Sequence, residues 1–163
     1  MAHLSTINAD GSPQVTVIWI GLDGDDLVSG HMSRHLKLRN IERDPRVVLS
    51  FAAPRERGVF LNPYAVVRAR ATVQPSDGAW DLLNRLTKVY VAADAEYPRA
   101  KAPGYIARYS VERVGGVGPW AEKDPTRRGL APGRERVGLA VGQVAEFGVR
   151  GRCLGGLLEV IEP

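Results

Sequence analysis

The chain has 163 residues with 44% apolar and 25% charged side chains, the balance of one ordinary globular domain able to bury a core without metals or disulfides. Its formal charge of +4 favours anionic small molecules, yet it is too small, and its Lys and Arg too dispersed, for a nucleic-acid partner. The single cysteine, Cys153, rules out an internal disulfide framework and a cysteine-based metal site, and it reads as an ordinary thiol. Residues 1–8 lack the basic-then-apolar pattern of a secretory leader, and no run approaches the ~20 apolar residues of a membrane span, so a cytoplasmic protein without a membrane partner is expected.

In chain order, Ala2 to Asn8 reads as a short strand and Ala9-Asp10-Gly11-Ser12-Pro13 as a turn. Gln14 to Ile20, rich in β-branched and aromatic residues, is the clearest strand. Gly21 to Asp26 reads as another turn and Leu27 to His31 as a third strand, so that the opening elements form a meander. Ser33 caps a short helix, Arg34 to Arg43, which Asp44-Pro45 terminates, because the residue before proline is pushed out of the helical region. Arg46 to Ala53 is a strand and Pro54 to Gly58 a turn. Val59 to Leu61 and Tyr64 to Val73 return as strand, with Val67, Ala69, Ala71 and Val73 on one face and Arg68, Arg70 and Thr72 on the other. Ser76 caps a longer helix, Gly78 to Ala92, whose Leu82, Leu83, Leu86, Val89 and Tyr90 recur at helical spacing. A proline-bearing loop, Asp94 to Gly104, leads to a last strand, Tyr105 to Val114.

The composition then changes. Residues 121–163 are rich in Gly and Arg, with seven basic and six acidic side chains and weak periodicity, and read as a poorly ordered extension to a domain spanning residues 1–120. About six antiparallel strands with helices at the side predict a mainly β fold, a six-stranded split or closed barrel.

The stretch from Ser33 to Pro45 carries the most chemistry. A helix start offers free backbone N–H groups and a positive dipole end, which suit a phosphate, and Arg34 and Lys37, three residues apart, can share a face beside the Ser33 hydroxyl. The alternative is a solvated basic face held down by Leu36, Leu38 and Ile41. His3, His31 and His35 fit no metal spacing; exposed positions are expected for them, with a place near a cofactor phosphate as the alternative for His31 and His35. Trp19 and Trp120 read as core or interface aromatics, with stacking on a ligand ring as the alternative. Gly115-Gly116-Val117-Gly118 lacks the features of a nucleotide-binding loop and reads as a strand ending in a turn or lining a pocket.

The order of these elements carries a resemblance. Leu4-Ser5-Thr6-Ile7, Asp10-Gly11-Ser12-Pro13, Val15-Thr16-Val17-Ile18-Trp19, then Arg39-Asn40-Ile41-Glu42-Arg43-Asp44-Pro45-Arg46-Val47 resemble the cofactor-binding half of the pyridoxamine-phosphate-oxidase-like superfamily. Arg113 to Trp120 resembles its deazaflavin-using actinobacterial branch. The resemblance spans about residues 2–120. It implies a homodimer with coenzyme F420, or alternatively FMN, at the subunit interface. The strand at Val17, Ile18 and Trp19 is then expected against the tricyclic ring, and Ser33, Arg34, Lys37 and Asn40 around the ribityl and phosphate part, with Trp120 nearby. It implies an F420-dependent oxidoreductase passing hydride to a small conjugated or planar substrate. The alternatives are an FMN-dependent pyridoxamine-phosphate-oxidase-like enzyme, or a flavin-, deazaflavin- or haem-binding protein without turnover. No side-chain nucleophile is required and no catalytic side chain is named, because the ring carries the reaction.

Overall fold

The computed structural model describes residues 1–55 and 57–118. Trp120 and the extension at 121–163 lie outside the described residues. Nine elements are described, in chain order: β1 (Ala2–Ile7), β2 (Pro13–Ile18), β3 (Gly21–Asp23), β4 (Asp26–His31), α1 (Leu36–Arg43), β5 (Arg46–Ala52), β6 (Tyr64–Ser76), α2 (Ala79–Tyr90) and β7 (Gly104–Val117). All strand pairings are antiparallel, in the order β2-β1-β5-β6-β7-β4-β3. The fold is the expected mainly β split barrel, with seven strands among the described residues rather than six. The extra strand is β3, within the segment Gly21 to Asp26 that reads as a turn.

The opening meander is corrected. β1 and β2 do form a hairpin, in register Ala2 with Ile18 through Ile7 with Pro13. Its turn closes through Gly11, whose positive φ of 84° is costly for residues with a Cβ, and through Asn8 N–H donating to the Ser12 carbonyl at 2.8 Å. But β2 does not pair with the next strand in the chain. The β3–β4 hairpin crosses to the far side and pairs with β7. Among the described residues β2 is therefore one edge of the sheet and β3 the other.

The sheet curls because its strands share one core. Leu4, Ile18, Leu27, Leu49, Phe51, Val67 and Tyr109, drawn from six strands, form a single buried cluster that α1 plugs with Leu38 and Ile41. The alternation read on β6 holds: Val67, Ala69 and Ala71 are buried and Val73 is half-buried against the core, while Arg68, Arg70 and Thr72 are exposed. A register shift between Arg68 and Ala69, opposite Glu112, bends the long β6–β7 ladder. Glu112 itself receives Arg70 Nε at 3.0 Å. Gly115 to Val117 belong to β7, so that this glycine-rich run continues the ladder as far as Tyr64.

Both helix starts differ from expectation. α1 begins at Leu36, with His35 at its N-cap and no side-chain cap bond. Ser33 lies upstream and only its carbonyl engages, accepting from His35 N–H at 2.9 Å. α2 begins at Ala79, capped by Gly78, while the Ser76 hydroxyl accepts from Gly78 N–H at 3.1 Å as a turn preceding the helix. Leu82, Leu83 and Leu86 of the expected stripe are buried; Val89 is not.

Asn40 is a structural residue in this arrangement. It is fully buried, and its amide nitrogen lies 3.1 Å from Thr6 Oγ1, 2.8 Å from Asn8 Oδ1 and 3.1 Å from Gln14 Oε1. Its carbonyl accepts from Arg43 at 3.0 Å. One side chain thus ties α1 to both strands of the β1–β2 hairpin. Replacing Asn40 by Ala removes these bonds and leaves Asn8 Oδ1 and the Arg43 guanidinium without this partner, though Thr6 still donates to Gln14; it should cost about 1–3 kcal/mol, read as a lower urea midpoint with an unchanged slope.

Candidate functional site

β2 ends, β4 ends and α1 begins at one corner of the barrel, and the loop after α2 passes over it. Between them lies a cavity of about 240 Å³. Val17, Ile18 and Trp19 form one wall; Gly30, His31 and Met32 a second; His35 and Lys37 come from the start of α1; Tyr97 and Arg99 come from the loop, with Met1 and Leu83 completing the lining.

Electrostatics define the site. Four basic side chains, His31, His35, Lys37 and Arg99, line it, and none of the described lining residues is acidic. Lys37 is half-buried, makes no ion pair among the described residues, and has its ammonium pKa lowered by burial. His35 is also lowered, first by desolvation and then by the charges of Lys37 and Arg99. Like charges gathered without a counter-ion are costly, and an anion entering the cavity relieves that cost. The first N–H groups of α1 at Leu36 and Lys37 point out of a helix start, where an anion is favoured further.

Of the residues expected at a cofactor, Val17, Ile18, Trp19 and Lys37 line this cavity. The others do not join them. Arg34 precedes the helix rather than sharing a face with Lys37, and it is exposed and paired with Glu42. Ser33 is exposed and outside the lining, Asn40 is buried against the β1–β2 hairpin, and Trp120 lies outside the described residues. The cavity thus brings Lys37 together with His35 and Arg99, and Ser33 and Arg34 lie outside its lining. Trp19 stacks on Tyr90, centroids 5.7 Å apart and planes 10° from parallel, so one face of its ring is used in packing.

Tyr97 and Arg99 carry no signal in the sequence, because they sit in a segment with no periodicity. They reach the site because α2 holds the loop: Asn84 Oδ1 accepts from Tyr97 N–H at 2.9 Å, and the Arg99 carbonyl accepts from Trp80 Nε1 at 2.6 Å. The expected exposure of His31 is also corrected: it is 6% exposed. β4 is buried on both faces, with Leu27, Ser29 and His31 toward the barrel and Val28 and Gly30 toward α2, so the usual polar-out alternation fails there. His35, in contrast, is exposed as expected.

The protein comparisons agree with this architecture. Residues 1–118 match the family model described as pyridoxamine 5′-phosphate oxidase. The chain belongs to this family. Among solved structures it is similar to an F420 reductase, at 29% identity and TM-score 0.58 over 70% of this chain and 87% of that one. It is also similar in fold to a haem-binding protein of Mycobacterium smegmatis, at 20% identity and TM-score 0.56 over 85% of this chain and 54% of that one. HutZ, a haem storage protein of Vibrio cholerae, aligns at 15% identity and TM-score 0.50 over 71% of this chain and 84% of that one. A search of curated proteins found no match. Structures named as a reductase and as haem-binding proteins share this barrel, so the fold alone does not decide what is bound. No helix among the described residues is long and apolar enough to cross a membrane, and no group of three or more His, Cys, Asp or Glu there is placed to hold a metal ion.

Burial pulls the His31 pKa down to about 3, with the charges of Lys37 and His35 adding to the effect. The unfolded chain takes up this proton near the ordinary histidine value of 6.5, whereas the folded protein refuses it until about pH 3. The unfolded state binds more protons in that window, so stability rises with pH there and is lost as pH falls from 6.5 toward 3. Replacing His31 by Gln should flatten this acid limb by up to about 1.4 kcal/mol per pH unit, one proton's worth, in urea midpoints measured across the window.

Proposed function

We propose that this protein is an F420-dependent oxidoreductase of the pyridoxamine 5′-phosphate oxidase family, transferring hydride between the cofactor and a small conjugated or planar substrate. The observation that carries this reading is the cavity lined, among the described residues, by four basic side chains and no acidic one, beside the edge of β2. A deazaflavin matches that donor set: its anionic tail meets Lys37, His35, Arg99 and the start of α1, while its planar ring lies along Val17, Ile18 and Trp19. When bound, the ring supplies the hydride chemistry, and the chain's residues supply orientation and electrostatics. The free edge of β2 offers backbone N–H and C=O groups to the polar rim of a ring. The 29% identity to an F420 reductase favours the deazaflavin over FMN, which the same donor set also accommodates.

The site is completed by a second copy of the chain in this proposal. A volume of about 240 Å³ falls below the ~300–1,000 Å³ of ordinary ligand sites. Directly beside it, Val15 and Val17 on β2 stay more than half exposed. An apolar edge of this kind, open to water, suits burial in a homodimer with a cofactor at each seam.

Two outcomes are expected. Light scattering at micromolar concentration should give twice the mass of one chain; a clean monomer would remove the shared-site reading. Replacing Lys37 by Ala should weaken binding of coenzyme F420 by about ten- to a hundredfold, the effect of losing one charge-assisted contact. Replacing Arg34 by Ala, a side chain spent on Glu42 outside the cavity, should leave affinity within about twofold. Titration at fixed salt, followed by the cofactor's fluorescence, distinguishes the two variants, and equal affinities would dismiss the anion role given to this helix.

A further inference from the structure

Three buried polar side chains run from the centre of the barrel to the cavity. Ser29 Oγ is 2.8 Å from the Tyr109 hydroxyl and 2.8 Å from His31 Nε2. Ser29 and Tyr109 are fully buried and His31 almost so. Ser29 and His31 sit two residues apart on β4, on the face toward the core, and Tyr109 comes from the adjacent β7.

The proton count sets the direction of this chain of hydrogen bonds. Ser29 is the partner of the Tyr109 hydroxyl. If Ser29 gave its proton to Tyr109, the phenolic proton would be left in an apolar core without an acceptor, a penalty of about 1–3 kcal/mol. The satisfied arrangement has Tyr109 O–H donating to Ser29 Oγ, and Ser29 O–H donating to His31 Nε2. Nε2 must then be the unprotonated nitrogen, and a neutral imidazole carries its proton on Nδ1. Burial keeps the ring neutral, as its low pKa of about 3 indicates, and it keeps the Tyr109 phenol protonated by raising its pKa. Among the described residues no group accepts from Nδ1, and His31 lines the cavity.

We propose that Tyr109 and Ser29 lock His31 in the Nδ1–H form, so that His31 presents a neutral hydrogen-bond donor to an acceptor oxygen of the ligand bound in the cavity. The ligand half of this proposal rests on the cofactor reading above; the tautomer lock is a property of the chain alone. His31 thereby differs in kind from Lys37 and Arg99. It gives direction without charge, and it holds one donor in a fixed place because its ring cannot turn without breaking the bond to Ser29. The oxygen it meets belongs to a ring carbonyl or to a phosphate, the two acceptors a flavin-type cofactor carries.

Nitrogen-15 spectra of histidine-labelled protein without ligand test the lock directly. The His31 resonances should show a protonated Nδ1 and an unprotonated Nε2; a dominant Nε2–H form would overturn the proposal. The double variant Ser29→Ala with Tyr109→Phe removes both hydroxyls together, so that neither is stranded by loss of the other and only His31 Nε2 loses its partner; a cooperative urea transition checks that the fold persists. In it the Nε2–H form should appear, and affinity for FMN and coenzyme F420 should fall by about threefold to tenfold, the loss of one oriented neutral hydrogen bond. Tyr109→Phe alone leaves the Ser29 proton free to stay on His31 and should change the spectrum less.

Riboflavin and inorganic phosphate identify the acceptor. A shift of the Nδ1 signal with riboflavin points to the ring, and one with phosphate alone points to the phosphate. Binding of FMN or coenzyme F420 that leaves Nδ1 unmoved would overturn the donor role while sparing the cofactor reading. Failure of both cofactors to bind would remove the cofactor reading, and the ligand half of the proposal with it; the spectrum of the free protein still decides the lock.

Discussion

Helix α2 lies so close to β4 that a methyl group at Gly30 would come within 2.9 Å of Leu83 Cγ and 3.0 Å of the Ala79 carbonyl oxygen. Only a glycine allows that approach without displacing the helix. The remainder of the site is suspended from this contact. From α2, Trp80 and Asn84 hold the loop that carries Arg99 and Tyr97. At its far end Tyr90 stacks on Trp19 and donates to the Ile20 carbonyl at 2.9 Å, which anchors the chain just beyond β2. A helix seated one methyl further out would move both walls of the cavity at once.

The same seat explains the electrostatics. With α2 covering one face of β4 and the barrel core covering the other, His31 loses its access to bulk water and stays neutral. Among the described side chains, the cations left at the cavity are then Lys37, Arg99 and, below its lowered pKa, His35, with the Met1 chain end also in the lining. Acidic partners exist nearby in sequence, but the fold spends them elsewhere: Glu42 on Arg34, Asp44 on Arg46, Asp81 on Lys101. Each of those pairs is exposed and contributes little to stability. Their consequence is local: they leave the cavity lining without a carboxylate.

Sharing a barrel with reductases and haem-binding proteins imposes few demands on the lining. The core is built from inward positions of six strands and two residues of α1, and the site from strand ends, a helix start and a loop. Binding residues carried at the ends of a rigid frame can change without disturbing the packing beneath them.

Strong local patterns determined much of this protein. The β-branched runs of β2 and β5, the alternation of β6, the leucine stripe of α2 and the proline stop after α1 each encode their element within a few residues, because period and backbone restriction act locally. The order of those elements also carried the family resemblance, and with it Lys37 and the strand at Val17 to Trp19. Only the tertiary structure decided the rest. β4 pairs with β7 across more than seventy residues, so that the opening elements do not continue as a meander, and no local signal encodes a partner so distant. Arg34 lies upstream of α1 and pairs with Glu42, and Asn40, one turn beyond Lys37, is buried against the β1–β2 hairpin, contacts that arise only once the helix has packed on the sheet. His31 reads as a polar strand end and is buried, because its side chain turns to the barrel side of β4, beside Ser29 and Tyr109, which strand pairing with β7 brings together. Arg99 joins Lys37 because a loop without periodicity is pinned by side chains of the helix before it, a contact that exists only once the helix has docked.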